Sequence, residues 1–195
     1  RPNYAKVVAD LCKEQGGLPF LTDCNTLYPG SRKNALEHLT CAQLNGFWPM
    51  TTGCQVIIAD GLRGTDEAEV PVPNGEYCKT AKIGRAIMDA DIFISLTHFK
   101  GHEATGFGGA LKNIGMGCGS RAGKMIQHAA GHPEVQQSLC RGCHRCAKEC
   151  GSDAITYDAN NKAVIDQTKC KGCGRCIGAC NFDAIYSQCD SANEM

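Results

Sequence analysis

Apolar positions over residues 1–132 fall into helical stripes that alternate with short continuous runs. In "YAKVVADLCKEQGG", Tyr4, Val7, Val8 and Leu11 recur at helical spacing, and Gly16 and Gly17 stop the pattern. "LPFLTD" reads as a short apolar strand, and "RKNALEHLTCAQLNG" as a second helix that ends at Gly46. "CQVIIAD" has the composition of a buried strand, and "EVPVPNGEYCKTAKI" that of a hairpin turning near Asn74 and Gly75. "IGRAIMDA" is a short helix leading into another buried strand, "DIFISLT". Strands alternating with helices predict an α/β domain with a largely parallel sheet over residues 1–132. Past residue 132 the periodicity gives way to short motifs, which predicts a small α+β domain over residues 133–195.

Composition narrows the picture in one respect. Lys plus Arg and Asp plus Glu number 20 each, so net charge gives no attraction to nucleic acid or to a membrane surface. No apolar run approaches the roughly 20 residues that span a bilayer. The chain opens "RPNYAKVV", without Met and without an apolar signal core, so the expectation is a processed chain or one lacking an amino-terminal piece. Fifteen cysteines dominate. Eight of them stand two or three residues apart in two tight groups, a spacing awkward for disulfides and suited to metal ligation. The implied setting is a reducing cytoplasm, that of an anaerobe.

"CRGCHRCAKEC" from Cys140 to Cys150 recurs as "CKGCGRCIGAC" from Cys170 to Cys180, each reading C-x2-C-x2-C-x3-C. The spacing is that of bacterial two-cluster ferredoxins, where the first three thiolates of a run hold one [4Fe-4S] cluster and the fourth crosses to the other. It assigns Cys140, Cys143, Cys146 and Cys180 to one cluster, and Cys170, Cys173, Cys176 and Cys150 to the second. The fourth Cys of each run is expected to open the helix that carries it across. "SDAITYD" and "FDAIYSQ" extend the repeat at the same offset, and "KAVID" supplies a strand between them. Structural zinc also uses C-x2-C pairs, but draws them from separated knuckles rather than from complete runs of four.

Two local features bear on such clusters. Gly151 and Asn181 stand where ferredoxin runs usually carry Pro, so each returns a backbone N–H beside the cluster. His144 is either a second-sphere donor or a surface residue. Between 140 and 180 there are seven basic and four acidic residues, a rim that suits an acidic ferredoxin or flavodoxin, or else a solvated face.

"HFKGHEATGFGGALKNIGMGCGSRAGK" follows "DIFISLT" directly, where open α/β sheets collect ligands. His98, Lys100, His102, Glu103 and Cys118 are its candidate catalytic residues. Gly106, Gly108, Gly109 and Lys112 form a candidate cradle for an anionic ligand or cofactor at the start of a helix. Neither the dinucleotide nor the P-loop fingerprint fits. The glycines also suit a tight, close-packed turn. Cys118, near Arg121 and Lys124, is expected to have a lowered pKa. It is a nucleophile, a ligand of a third metal centre, or an inert buried thiol. Cys12, Cys24, Cys41, Cys54, Cys78 and Cys189 read as scattered core or surface residues. Asp23, Asn25 and Tyr28 follow "LPFLT" and share a candidate binding edge, whereas Asp60 and Asp66 read as solvated loop residues or as the lining of a cleft at the end of "CQVIIA".

"FLTDCNTLYPGSRKNALEHL", "VIIADGLRG", "SLTHFKGHEATGFGGALKNIGMGCGSRAGK" and the cysteine repeat together resemble the iron–sulfur family catalogued as domain of unknown function 362, over nearly the whole chain. The resemblance implies a ferredoxin-fused fold and further residues upstream of Tyr4, among them a strand. It implies no particular reaction. The resulting expectation is electron transfer through two [4Fe-4S] clusters to or from a site in the α/β domain, in an oxidoreductase or its electron-input subunit. The rival is a non-catalytic carrier or assembly factor whose α/β domain docks a partner.

Overall fold

The computed structural model describes residues 1–27, 30–75, 78–102, 106–127 and 132–187. Helix α1 (Pro2–Glu14) starts on a proline whose fixed φ suits a first helical turn, and ends ahead of Gly16 at φ +83°. Its buried stripe is not the predicted one. Ala5 and Ala9 are buried and Val8 and Cys12 half-buried, whereas Tyr4, Val7 and Leu11 are exposed. The small residues allow close approach to the single turn α3 (Pro49–Thr52), and the larger stripe faces outward.

Strand β1 (Phe20–Asp23) pairs in parallel with β2 (Gln55–Ile58), with Phe20 opposite Gln55 and Asp23 opposite Ile58. Between them lies α2 (Ala35–Leu44), capped by Asn34, whose side chain accepts from Glu37 N at 3.0 Å. Parallel strands need such a crossover. The predicted hairpin forms as β3 (Glu67–Pro71) against β4 (Thr80–Gly84). The helix expected in "IGRAIMDA" is α4 (Arg85–Met88).

A largely parallel sheet does not form. Among the described residues every pairing except β1–β2 is antiparallel and every sheet is two-stranded. "DIFISLT" is irregular: Ile92, Phe93, Ile94 and Leu96 are exposed, and no described strand pairs with them. An apolar run becomes a buried strand only where neighbours supply hydrogen bonds on its edges and cover its faces. The short hairpin β5 (Gly101–His102) and β6 (Gly106–Phe107) follows, then α5 (Ala110–Gly115) and α6 (Arg121–Gln127). Between α5 and α6 the chain returns to β4, with Gly84 N donating to Cys118 O and Ser120 N to Lys82 O.

The remaining elements repeat themselves at an offset of thirty. Strands β7 (Pro133–Val135) and β9 (Ala163–Ile165) are one matched pair, and β8 (Ile155–Tyr157) and β10 (Ile185–Ser187) the other. Helices α7 (Arg145–Lys148) and α8 (Arg175–Ala179) correspond likewise. β7 pairs with β10, and β8 with β9, both antiparallel. Backbone angles repeat too: His144 and Gly174 have φ of 63° and 65°, and Asp153 and Asp183 have 50° and 52°. The helices do not open at the fourth Cys. They begin at Arg145 and Arg175, enclose Cys146 and Cys176, and leave Cys150 and Cys180 just past their carboxyl ends. The buried core joins Ile155, Ile177 and Ile185 with four of the cysteines, and takes in Leu27 and Met125 from the preceding residues. Among the described residues no helix is long and apolar enough to cross a membrane.

Candidate functional site

Each cysteine loop turns through left-handed residues at Gly142 and Gly172, which brings the first three thiols of the run to one side. Two cavities result. One is lined by Cys140, Cys143 and Cys146 together with Cys180. The other is lined by Cys170, Cys173 and Cys176 together with Cys150. Three thiols of one run and the last of the other thus share each cavity. Four thiols, three from one run and one from the other, are the donor set that an iron–sulfur cube takes, and the residues present fit one.

Donors surround the sulfurs. Ala163 N donates to Cys140 Sγ at 3.4 Å, Ala154 N to Cys150 Sγ at 3.3 Å, and Gly172 N to Cys170 Sγ at 3.5 Å. The backbone N–H groups that bear on Cys150 are those of Ser152 and Ala154 rather than that of Gly151. His144 stacks on Tyr157 with ring centroids 3.8 Å apart, and its Nε2 donates to Asn161 Oδ1. The Tyr157 hydroxyl lies 3.6 Å from Cys146 Sγ, so His144 supports a sulfur donor and does not itself touch the sulfur.

The two cavities differ in surroundings. The first has a corner in solvent, since Cys143 is exposed, with Arg141, His144 and Arg145 exposed around it. The second lies against the preceding residues. Gly174 and Gly178 of α8 are buried, and Arg121 from α6 lies against both. Lys33 reaches the module with Nζ donating to Cys180 O at 2.8 Å and pairing with Asp183.

A second polar group is buried where β1 and β2 end together. Asp60 Oδ1 accepts from Asn25 N and Nδ2, at 2.9 and 2.8 Å. Asp60 is fully buried, which overturns its reading as a solvated loop residue, and burial raises its pKa. Cys24 Sγ donates to Cys118 O at 3.3 Å, and Lys124 Nζ donates to the carbonyls of Gly117 and Gly119. Burial pushes the Cys24 thiol up to about 12, against the opposing charge of Lys124. Cys118 is shifted the same way: burial raises its pKa and Lys124 offsets only part of the effect, the reverse of the lowered value expected from nearby cations. At pH 9 about a thousandth of Cys24 is thiolate in the folded protein, where an ordinary cysteine is largely ionised. Iodoacetamide at that pH should leave Cys24 unmodified until urea is added, as read by peptide mass mapping. Alkylation at the rate of half-exposed Cys12 would contradict this.

The other candidates scatter. His98 and Lys100 are exposed on the irregular segment. His102 meets Lys112, Nζ to Nε2, at 2.8 Å. Gly106 takes φ +68°, and Gly108 N donates to Lys100 O. A side chain at Gly109 would overlap the Phe107 ring, so packing alone accounts for that glycine. Glu103, Tyr28 and Cys189 lie outside the described residues. Arg121, Lys124, Lys33 and Tyr157 have no separate role in the reading from residues alone. For Asp60 the available signal was position, two residues past the end of β2.

No curated protein matches the chain. Residues 163–186, which contain the second cysteine run, match a 4Fe-4S binding domain, and this supports an iron–sulfur electron-transfer role. Residues 1–163, first run included, match the family described as Domain of unknown function (DUF362). With most of its length matched, the chain belongs to the DUF362 family.

Proposed function

We propose that the chain is a two-cluster electron-transfer protein. Cys140, Cys143, Cys146 and Cys180 would hold one [4Fe-4S] cluster, and Cys170, Cys173, Cys176 and Cys150 the other. The observation that carries this is the sharing of each cavity by three thiols of one run and the fourth of its repeat. Each bound cluster supplies a one-electron couple. The protein's own residues do the rest. Backbone N–H groups and Tyr157 donate to the sulfurs, and the core of Ile155, Ile177 and Ile185 keeps water from Cys140, Cys146, Cys176 and Cys180.

The exposed corner at Cys143, with Arg141, Arg145 and Lys148 around it, suits an acidic carrier of the ferredoxin or flavodoxin type. In the wider reading the chain feeds an oxidoreductase site in residues 1–132, with an anionic substrate near His102 and Lys112. One observation favours the rival, a carrier or assembly factor. Cys118 is buried and held protonated, so it has neither the access nor the ionisation of a nucleophile.

Iron and acid-labile sulfide on anaerobically purified protein test the central reading. About eight irons per chain, with two [4Fe-4S] signals on reduction, are expected. About four irons and one signal would overturn it.

A further inference from the structure

We propose that Arg121 sets the order in which the two clusters are reduced, making the one held by Cys170, Cys173, Cys176 and Cys150 the higher in potential. The inference rests on the two-cluster reading above.

Because the module repeats at an offset of thirty, each position on α8 has a counterpart on α7. Gly174 corresponds to His144, and Gly178 to Lys148. His144, the cap of α7, lies against Tyr157 with its outer edge exposed, and Lys148 on α7 is exposed. On α8 the same space is taken by Arg121. A methyl group at Gly174 would lie 2.7 Å from Arg121 Cδ, and one at Gly178 would lie 3.2 Å from Nη2. At α8 and its cap, glycines leave room for the arginine beside the inner set, Cys170, Cys173, Cys176 and Cys150, whereas the outer set, Cys140, Cys143, Cys146 and Cys180, has no such neighbour among the described residues.

Arg121 is 0% exposed. Its N–H groups donate to three backbone carbonyls: Arg63 O at 3.1 Å, Thr26 O at 2.8 Å, and Lys33 O. Carbonyls orient a guanidinium without cancelling its charge. Among the described residues no carboxylate pairs with it. Of the other cations against the module, Lys33 pairs with Asp183, while Arg63 and Arg175 share the single carboxylate of Glu149. Arg121 packs against Gly174, which stands between Cys173 and Cys176 of the inner set.

A [4Fe-4S] cluster gains negative charge on reduction, so a fixed cation in a medium of low dielectric favours its reduced form. Arg141 and Arg145 stand in water beside the outer set, where salt screens them. The asymmetry favours the inner cluster.

The test uses the full chain, purified anaerobically, with EPR-monitored potentiometric titration of the parent, Arg121→Gln and Arg121→Lys. In Arg121→Gln the inner midpoint should fall. The equilibrium constant for sharing an electron between clusters should shift by about tenfold, which is about 59 mV for one electron. The outer midpoint should stay, and Arg121→Lys should recover most of the shift. Unmoved midpoints, or equal shifts in both, would overturn the proposal.

A measurement on the parent covers the case in which Arg121→Gln fails to fold. A soluble dysprosium chelate speeds the relaxation of an exposed cluster more than that of a covered one. The signal that appears first on reduction should be the less affected. If the first signal is the more affected, the proposal fails. Eight irons with the wrong order overturns only the role of Arg121, whereas four irons overturns the two-cluster reading itself.

Discussion

Cys150→Ser should strip iron from the centre built on the other run. Cys140, Cys143 and Cys146 share their cavity with Cys180, and the substitution leaves all four thiols in place. Cys170, Cys173 and Cys176 share theirs with Cys150. The crossing has a plain geometric origin. Helix α7 ends at Lys148, the chain leaves it with Cys150 N donating to Ala147 O, and Ala154 N then turns back to the Cys150 sulfur. That turn carries the fourth thiol away from its own loop. Serine offers a harder, less acidic oxygen in place of a soft thiolate, and iron–sulfur cubes depend on thiolate ligands. Iron should fall from about eight towards about four per chain, and the surviving EPR signal should be that of the run containing Cys140. Loss of the signal from the run that contains Cys150, with the other intact, would contradict crossed ligation.

The cysteine module was legible because ligand chemistry fixes its spacing. A cube needs four thiolates at set positions, and a duplicated unit states the same requirement twice. The rest was legible only as far as local pattern reaches. "LPFLTD" and "CQVIIAD" became β1 and β2 because each is a short apolar run bounded by turn residues. The stripe of Tyr4, Val7 and Leu11 was read on the wrong face, because periodicity locates apolar positions without saying which neighbour can approach. At α1 the approach is close, and Ala5 and Ala9 permit it. "DIFISLT" has a strand's composition but no pairing partner among the described residues. The pKa expected of Cys118 had the wrong direction because its cations are near in sequence while its burial, the larger effect, is set by the fold. The seat for Arg121 was half legible. Aligning the repeats shows glycines against His144 and Lys148, but only the fold shows what fills the space.

Removing iron should unfold residues 133–187 while sparing the β1–β2 pair. The strands of the module have three residues each and its helices four or five, so regular structure contributes few internal hydrogen bonds. Its core counts Cys140, Cys146, Cys176 and Cys180 among its members. With iron removed those positions are thiols around two cavities, and the binding free energy of the clusters no longer opposes the chain's entropy. Ile177 packs in the same core as Leu27 and Met125, so the loss reaches into the loop before Lys33 and into α6. It stops short of β2, against which α2 and α3 pack, and of its partner β1. Amide hydrogen exchange on iron-loaded and iron-stripped protein reads the difference. Protection at 155–157, 163–165 and 185–187 should drop by about a hundredfold or more, while the ladder between Thr22 and Ile57 changes far less. Equal protection with and without iron would mean that the thiols alone hold the module together. Loss of protection across the whole chain would mean that the core at Leu27 and Met125 joins both parts into one folding unit.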